Sequence, residues 1–349
     1  IGMLSDRFGR RRVILLANFG LGLDYIVMAL APSIGWLFVG RVVSGITGAS
    51  WTTAGAYIAD VSKPEERAHG YGLLGAAFGL GFVLGPALGG ILGGVDPRLP
   101  FWAAAVMTLI NAAWGLFVLP ESLPPEQRRA FDWKRANPVG SLKLLRSHRE
   151  LFGLATVHAI YFLAHQAMPS VFVLYAAYRY GWGPRAVGLT LAVVGVCTSI
   201  VQAGLIRRVV AKLGERRALL AGLAFGVVSY LIWGFAATGW LGLIAIPFGA
   251  LMGLYSPSAQ GIMTRHVSPT EQGQLQGANA SIMGIAGMIG PALFTQTFAK
   301  FIDPKGIHLV GAPFFLGALL IGVAFALAWV VTKHERDIAS AARAATGTT

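Results

Sequence analysis

Three groups of residues in this sequence have chemistry beyond filling space. The first is the run Gly2-Met3-Leu4-Ser5-Asp6-Arg7-Phe8-Gly9-Arg10-Arg11. Glycines such as Gly2 and Gly9 let a short helix-to-helix turn pass close neighbours. Asp6 can sit at a helix N-terminus or pair with an arginine, and either contact would latch one state of a gate. The plainer alternative is a basic cluster (Arg7, Arg10, Arg11) that only fixes orientation, which leaves the aspartate and the glycines without a role. The second group is Asp24 and Arg41, charges placed within apolar runs, with Asp60 closing such a run. A charge at membrane depth is costly and needs a partner, a water-filled cavity or a path by which its head reaches the interface. Asp60 is placed to pair with the arginines of the first motif. The third group is polar rather than acidic: His158, His165 and Gln166 in one apolar run, with Gln202, Gln260 and Asn279 in three others. Histidine titrates near neutrality and can carry a proton. Seven residues separate His158 from His165, which puts them on one helical face two turns apart. A hydrogen-bonded packing role competes with proton transfer for each histidine.

None of these groups is an enzyme's catalytic set. There is no HExxH pair, no serine–histidine pattern in facing segments and no cluster of metal ligands. Cys197 stands alone inside an apolar run, so no disulfide framework or thiolate metal site can form. No cofactor and no metal is expected.

The elements that must position these residues are read from composition. Of 349 residues, 55% are hydrophobic and 12% charged, where an ordinary soluble domain carries roughly 25% charged residues. Mean hydropathy is +0.63. Too few polar residues remain to cover a water-facing surface, so the lipid bilayer is the natural solvent. Apolar segments long enough to span it fall near 13–32, 36–59, 71–94, 100–119, 151–176, 186–206, 218–237, 240–262, 278–299 and 311–332, giving an all-α bundle of about ten transmembrane helices. When the loops alternate between two sides, one side collects most of the 28 basic residues. The other holds Arg98, Arg179, Arg185, Lys300 and Lys305. That asymmetry predicts a cytoplasmic basic side, with linker and C-terminus facing the cytoplasm of a multi-pass inner-membrane protein. The net charge of +13 is thereby explained by topology, and no nucleic-acid partner is expected.

The chain also repeats itself. Residues 6–15 align with 211–220, Val61-Ser62 and Glu65 with Val267-Ser268 and Glu271, and Gly85-Pro86-Ala87-Leu88 with Gly290-Pro291-Ala292-Leu293, all at spacings of 205 or 206. Recurrence at one spacing predicts two parallel halves related by an axis along the membrane normal. The expected divisions are the remainder of an N-terminal bundle (1–119), a polar linker (120–150), a C-terminal six-helix bundle (151–332) and a tail (333–349). Ile1 leads straight into a motif that normally joins two helices, so two further helices are expected before it, twelve in all.

A last motif is Gly79-Leu80-Gly81-Phe82-Val83-Leu84-Gly85-Pro86-Ala87-Leu88-Gly89-Gly90. Gly81, Gly85 and Gly89 recur every four residues, predicting a smooth face for close helix packing, and Pro86 predicts a bend. Together with the first motif and Leu37-Phe38-Val39-Gly40-Arg41-Val42-Val43-Ser44-Gly45, it resembles the signatures of the major facilitator superfamily, the glycine–proline helix being typical of its antiporters. Gly22-Leu23-Asp24-Tyr25, Gly45-Ile46-Thr47-Gly48-Ala49, Ala54 to Asp60, Arg179-Tyr180-Gly181-Trp182, Val187 to Ala192 and Gln272 to Gly277 resemble its tetracycline–proton antiporter branch. The similarity runs from Gly2 to about Pro291. It implies the major facilitator fold and proton-driven export, with Asp6, Asp24 and Arg41 in gating or coupling. Gln202 matches a glutamine of the branch and is a candidate for ligand contact. Two departures stand out: Thr198 where the branch carries a histidine in its eighth helix, and Gly226 where it carries an aspartate in its ninth. The expected function is proton-coupled export of a small amphipathic organic compound; an uptake symporter, a metabolite exporter or a non-transporting membrane sensor on the same fold are the alternatives.

Overall fold

A computed structural model of the chain describes residues 2–47, 50–63, 67–128, 149–268, 271–303 and 306–333. Most of the predicted linker (129–148) and the tail beyond Lys333 lie outside the described residues. In the first half the helices are α1 (Gly2–Phe8), α2 (Arg10–Leu30), α3 (Ile34–Thr47), α4 (Ser50–Val61), α5 (Arg67–Gly93) and α6 (Leu99–Val118). The second half begins with α7 (Arg149–His165), α8 (Ala167–Tyr180) and α9 (Pro184–Ile200). A π-helical turn at Val201–Leu205 joins α9 to α10 (Ile206–Leu213). Then follow α11 (Glu215–Phe235), α12 (Gly239–Leu243), α13 (Ala245–Met252), α14 (Tyr255–Arg265), α15 (Gln272–Ile302) and α16 (Ala312–Val331).

Nine stretches among the described residues are long and apolar enough to cross a membrane, and the shorter apolar helix Ile34–Gly45 overlaps the one remaining predicted region, 36–59. Large apolar side chains such as Phe117, Trp240, Met288 and Ile34 stand more than three-quarters exposed. Exposed large apolar side chains in such number are unfavourable in water and ordinary in lipid.

The breaks inside the spans have a local cause. Pro169, Pro247 and Pro257 lack the N–H that would bond the carbonyl four residues earlier. The helix accordingly steps at Gln166, Ile244 and Leu254, each three residues before a proline. Carbonyls near two helix ends are met by tyrosines: Tyr230 Oη donates to the Ala164 carbonyl at 3.0 Å, and Tyr175 Oη to that of Trp233 at 2.7 Å. Within lipid such substitutes are obligatory.

The repeat holds at the level of whole elements. α2 and α11 are both 21 residues long and begin 205 residues apart; each follows a positive-φ glycine, Gly9 (φ 97°) and Gly214 (φ 78°). The same spacing relates the starts of α3 and α12, of α4 and α14, and of α5 and α15. α6 and α16 are both 20 residues, displaced by 213 because the intervening segments differ in length.

The described residues form two compact units. One comprises those up to 128 together with Pro184–Ala192; the other holds the remainder. Pro184–Ala192 thus packs with the first unit, although it begins a span of the second half. The contact is glycine on glycine: a methyl built on Gly90 would lie 2.6 Å from the Gly188 Cα and 2.8 Å from the Pro184 carbonyl oxygen. The predicted packing face differs from this. A methyl at Gly81, Gly85 or Gly89 meets nothing within 4 Å. Gly90, one position further round the helix, makes the close approach instead. α5 runs on through Pro86 as helix.

Candidate functional site

The basic end of the first unit is organised around Arg10, the first residue of α2. Its Nη1 lies 2.5 Å from Asp6 Oδ1 and 2.6 Å from Ser5 Oγ, and its Nε donates to Asp60 Oδ2 at 3.1 Å. Ser122 Oγ donates to the same Asp60 oxygen at 3.1 Å. Gly9 supplies the positive-φ turn between α1 and α2 that other residues adopt only with strain. Arg7 points elsewhere, its guanidinium 5.2 Å from the Phe8 ring. α1 itself starts at Gly2.

An arginine at the first position of a helix faces the positive end of the helix dipole. Glu121 compensates. Its Oε1 accepts the backbone N–H of Arg10 at 2.8 Å, of Arg11 at 3.4 Å and of Leu123 at 3.2 Å. A Cβ at position 9 would collide with this carboxylate. Arg11 Nη2 donates to the Leu116 carbonyl at 2.6 Å, capping the last turn of α6. Glu121 was not among the sequence candidates; its only signal is that it is the acid that directly follows α6 and Pro120.

At membrane depth, Asp24 is 2% exposed, and neither carboxylate oxygen has a hydrogen-bond partner among the described residues. Its Oδ1 lies over Gly40, where a methyl would approach to 2.8 Å. Gly40 is therefore the small residue that admits the carboxylate between α2 and α3. Arg41 is exposed and directs Nη2 to the Met28 sulfur at 3.0 Å; no ion pair joins it to Asp24 among the described residues.

The second unit gathers its polar candidates around aromatic rings. His158, 2% exposed, places Nδ1 3.3 Å from Tyr255 Oη and its ring 4.6 Å from that of Phe162. Tyr255 stacks on Tyr161 at 3.8 Å. His165 is exposed at the end of α7, its ring 5.9 Å from Tyr161. Gln166 lies against α15, where a methyl on Gly290 would strike its side chain. Gln260 Oε1 accepts from Asn279 Nδ2 at 3.5 Å, while Asn279 Oδ1 and Ser258 Oγ are buried with no partner among the described residues. Gln202 is exposed within the π-helical turn, a distortion often found at functional positions. Tyr255 escaped sequence reasoning because its partner is 97 residues away. No three metal-ligating side chains converge among the described residues.

Two homologous helical halves and spans suited to lipid define a multi-pass membrane protein, with a charge cluster at one end of its first half and a buried carboxylate in α2. The chain belongs to the Major Facilitator Superfamily, whose family model matches residues 1–291 and, in a second match, 210–347. Within it the chain falls in the tetracycline-resistance branch. It is 38% identical to the class C tetracycline resistance protein of Escherichia coli over 91% of this chain and 81% of that one. It is 32% identical to the Escherichia coli class B protein over 94% of this chain and 82% of that one. Among solved structures it resembles a bacterial homologue of the human lysosomal transporter Spinster, with TM-score 0.75, 16% identity, and coverage of 95% of this chain and 85% of that one. The human organic anion transporter MFSD10 (TETRAN) gives TM-score 0.68 at 23% identity, covering 94% and 79%.

Proposed function

We propose that the protein is a proton-coupled exporter of a small amphipathic organic compound, working across the cytoplasmic membrane with its basic end inside. The observation that carries the proton half is Asp24. A buried carboxylate with no hydrogen-bond partner is expensive to keep ionised, and such groups in transporters mark ion and proton paths. Gly40 leaves room for it, and Arg41 on the adjoining helix supplies a cation without neutralising it in a direct pair. The Asp6–Arg10–Asp60 corner is the gate latch at the inner end. Substrate contact falls to Gln202 and to the His158, His165, Gln166, Gln260 and Asn279 group, where aromatic rings and a few polar atoms suit an amphipathic ligand.

Export is supported by the relatives, which are named for tetracycline resistance. Tetracycline itself is disfavoured as the cargo. Thr198 and Gly226 replace the histidine and aspartate that the branch resemblance implies. Gly226 is also a crowded position: a methyl there would meet the Met252 sulfur at 2.9 Å and Ile321 Cδ1 at 3.1 Å, so an acid would require both side chains to move. The test is expression of the full chain in an efflux-deficient bacterium. We expect little or no tetracycline resistance, together with efflux of another amphipathic compound that stops when a protonophore collapses the pH gradient. Robust tetracycline resistance would refute the substrate assignment; efflux that survives the protonophore would refute the coupling.

A further inference from the structure

The repeat spacing carries a charge reversal. Adding 205 to Arg10 gives Glu215, the first residue of α11, and adding 205 to Asp60 gives Arg265, the last residue of α14. These two also meet: Arg265 Nη2 lies 2.7 Å from Glu215 Oε2. The contact is an ion pair rather than an aligned hydrogen bond, and Glu215 is the less exposed partner, at 27% against 55%. α14 makes room for it, since a methyl on Gly261 would collide with the Glu215 carboxylate. The neighbouring contact recurs as well. Arg216, equivalent to Arg11, donates from Nη2 to the carbonyl of Trp329 at 3.4 Å. Trp329 occupies the position in α16 that Leu116 occupies in α6. Arg216 Nε adds the carbonyl and hydroxyl of Thr332 at 2.8 and 3.1 Å, and its guanidinium lies 5.2 Å from the Trp329 ring.

We infer that Glu215, Arg265 and Arg216 form a second clamp, the counterpart of Arg10, Asp60 and Arg11 with the polarity of the ion pair inverted. The inversion has a physical logic. In the first unit the residue opening α2 is a cation, so a separate acid, Glu121, must satisfy the helix N-terminus. In the second unit the residue opening α11 is itself an acid. One carboxylate then favours the helix dipole and pairs with Arg265. Each clamp ties the basic ends of three equivalent helices, α2, α4 and α6 or α11, α14 and α16. Each half can thereby move as one body during transport. Glu215 and Arg265 are positioning residues for the cycle, and this role rests on the transport reading above.

The test uses the full chain in lipid nanodiscs and proteoliposomes. Glu215→Gln and Arg265→Gln should each speed hydrogen exchange of the first turn of α11, and each should lower the maximal rate of pH-gradient-driven ethidium transport by about fivefold, the scale of a half-exposed ion pair, with KM unchanged. Reversing both charges, Glu215→Arg with Arg265→Glu, should recover more than either reversal alone. Should the reversed chains fail to fold, the two glutamine variants and their double combination still decide. A coupled pair makes the double loss no larger than either single one. Fully additive losses, or exchange unchanged in the single variants, would overturn the clamp. A chain that moves no ethidium but shows the coupled exchange pattern would count against the transport reading while supporting the clamp.

Discussion

Asp24 in α2 and Ser229 in α11 occupy equivalent positions of the repeat, and the two halves treat them oppositely. Asp24 is held against Gly40 with no hydrogen-bond partner among the described residues and Arg41 next in sequence. Ser229, as deeply buried at 3%, donates to the carbonyl of Ala245, the residue equivalent to Gly40, at 2.9 Å. Ile246 replaces Arg41. The second half shows what this corner becomes when packing alone decides: a short hydroxyl, a satisfied carbonyl and an aliphatic neighbour. The first half retains charges that packing does not require. On the transport reading proposed above, that contrast separates function from architecture within a single chain, because the shared backbone register serves as the control.

The comparison can be broken most severely at Asp24 itself. Asp24→Asn keeps the volume and removes the titration, so pH-gradient-driven transport in proteoliposomes should fall to background, while Ser229→Ala should stay within about twofold, the loss of one hydrogen bond. Equal damage at both sites would make Asp24 a structural residue. A smaller effect separates two glycines of α5. Gly90→Ala forces a methyl into the backbone of Pro184–Gly188 and should lower stability in detergent by ~1–3 kcal/mol. Gly85→Ala, facing open space, should stay within ~0.5 kcal/mol. Thermal unfolding followed by tryptophan fluorescence measures both. Equal shifts would show that the four-residue spacing, not the Gly90 contact, sets the packing.

Much of this was legible before any coordinates. The spans follow from runs of about twenty apolar residues, and the repeat spacing first seen in three short matches proves to relate whole helices. Asp24, Arg41 and Asp60 announced themselves because a charge beside or inside such a run is conspicuous. Other features depend on which helix lies opposite. The spacing of Gly81, Gly85 and Gly89 defines a face but names no neighbour, and the close contact belongs to Gly90 because Gly188 happens to stand there. Glu121 reads as one more linker acid until the N-terminus of α2 is seen to need it. Glu215 and Arg265 lay on the same 205-residue arithmetic as the motif they mirror, hidden because the reversal of charge removes any similarity of residue type.

Protonation of Asp24 is the central claim, and infrared difference spectroscopy between high and low pH on the purified chain in lipid tests it most directly. The other acids contribute a hydrogen-bonded carbonyl band in every variant, whereas the high-frequency component of a carboxylic acid buried without hydrogen bonds should appear as the pH is lowered, persist in Ser229→Ala and vanish in Asp24→Asn. A high-frequency component that survives in Asp24→Asn would place the buried titrating acid elsewhere and contradict the account.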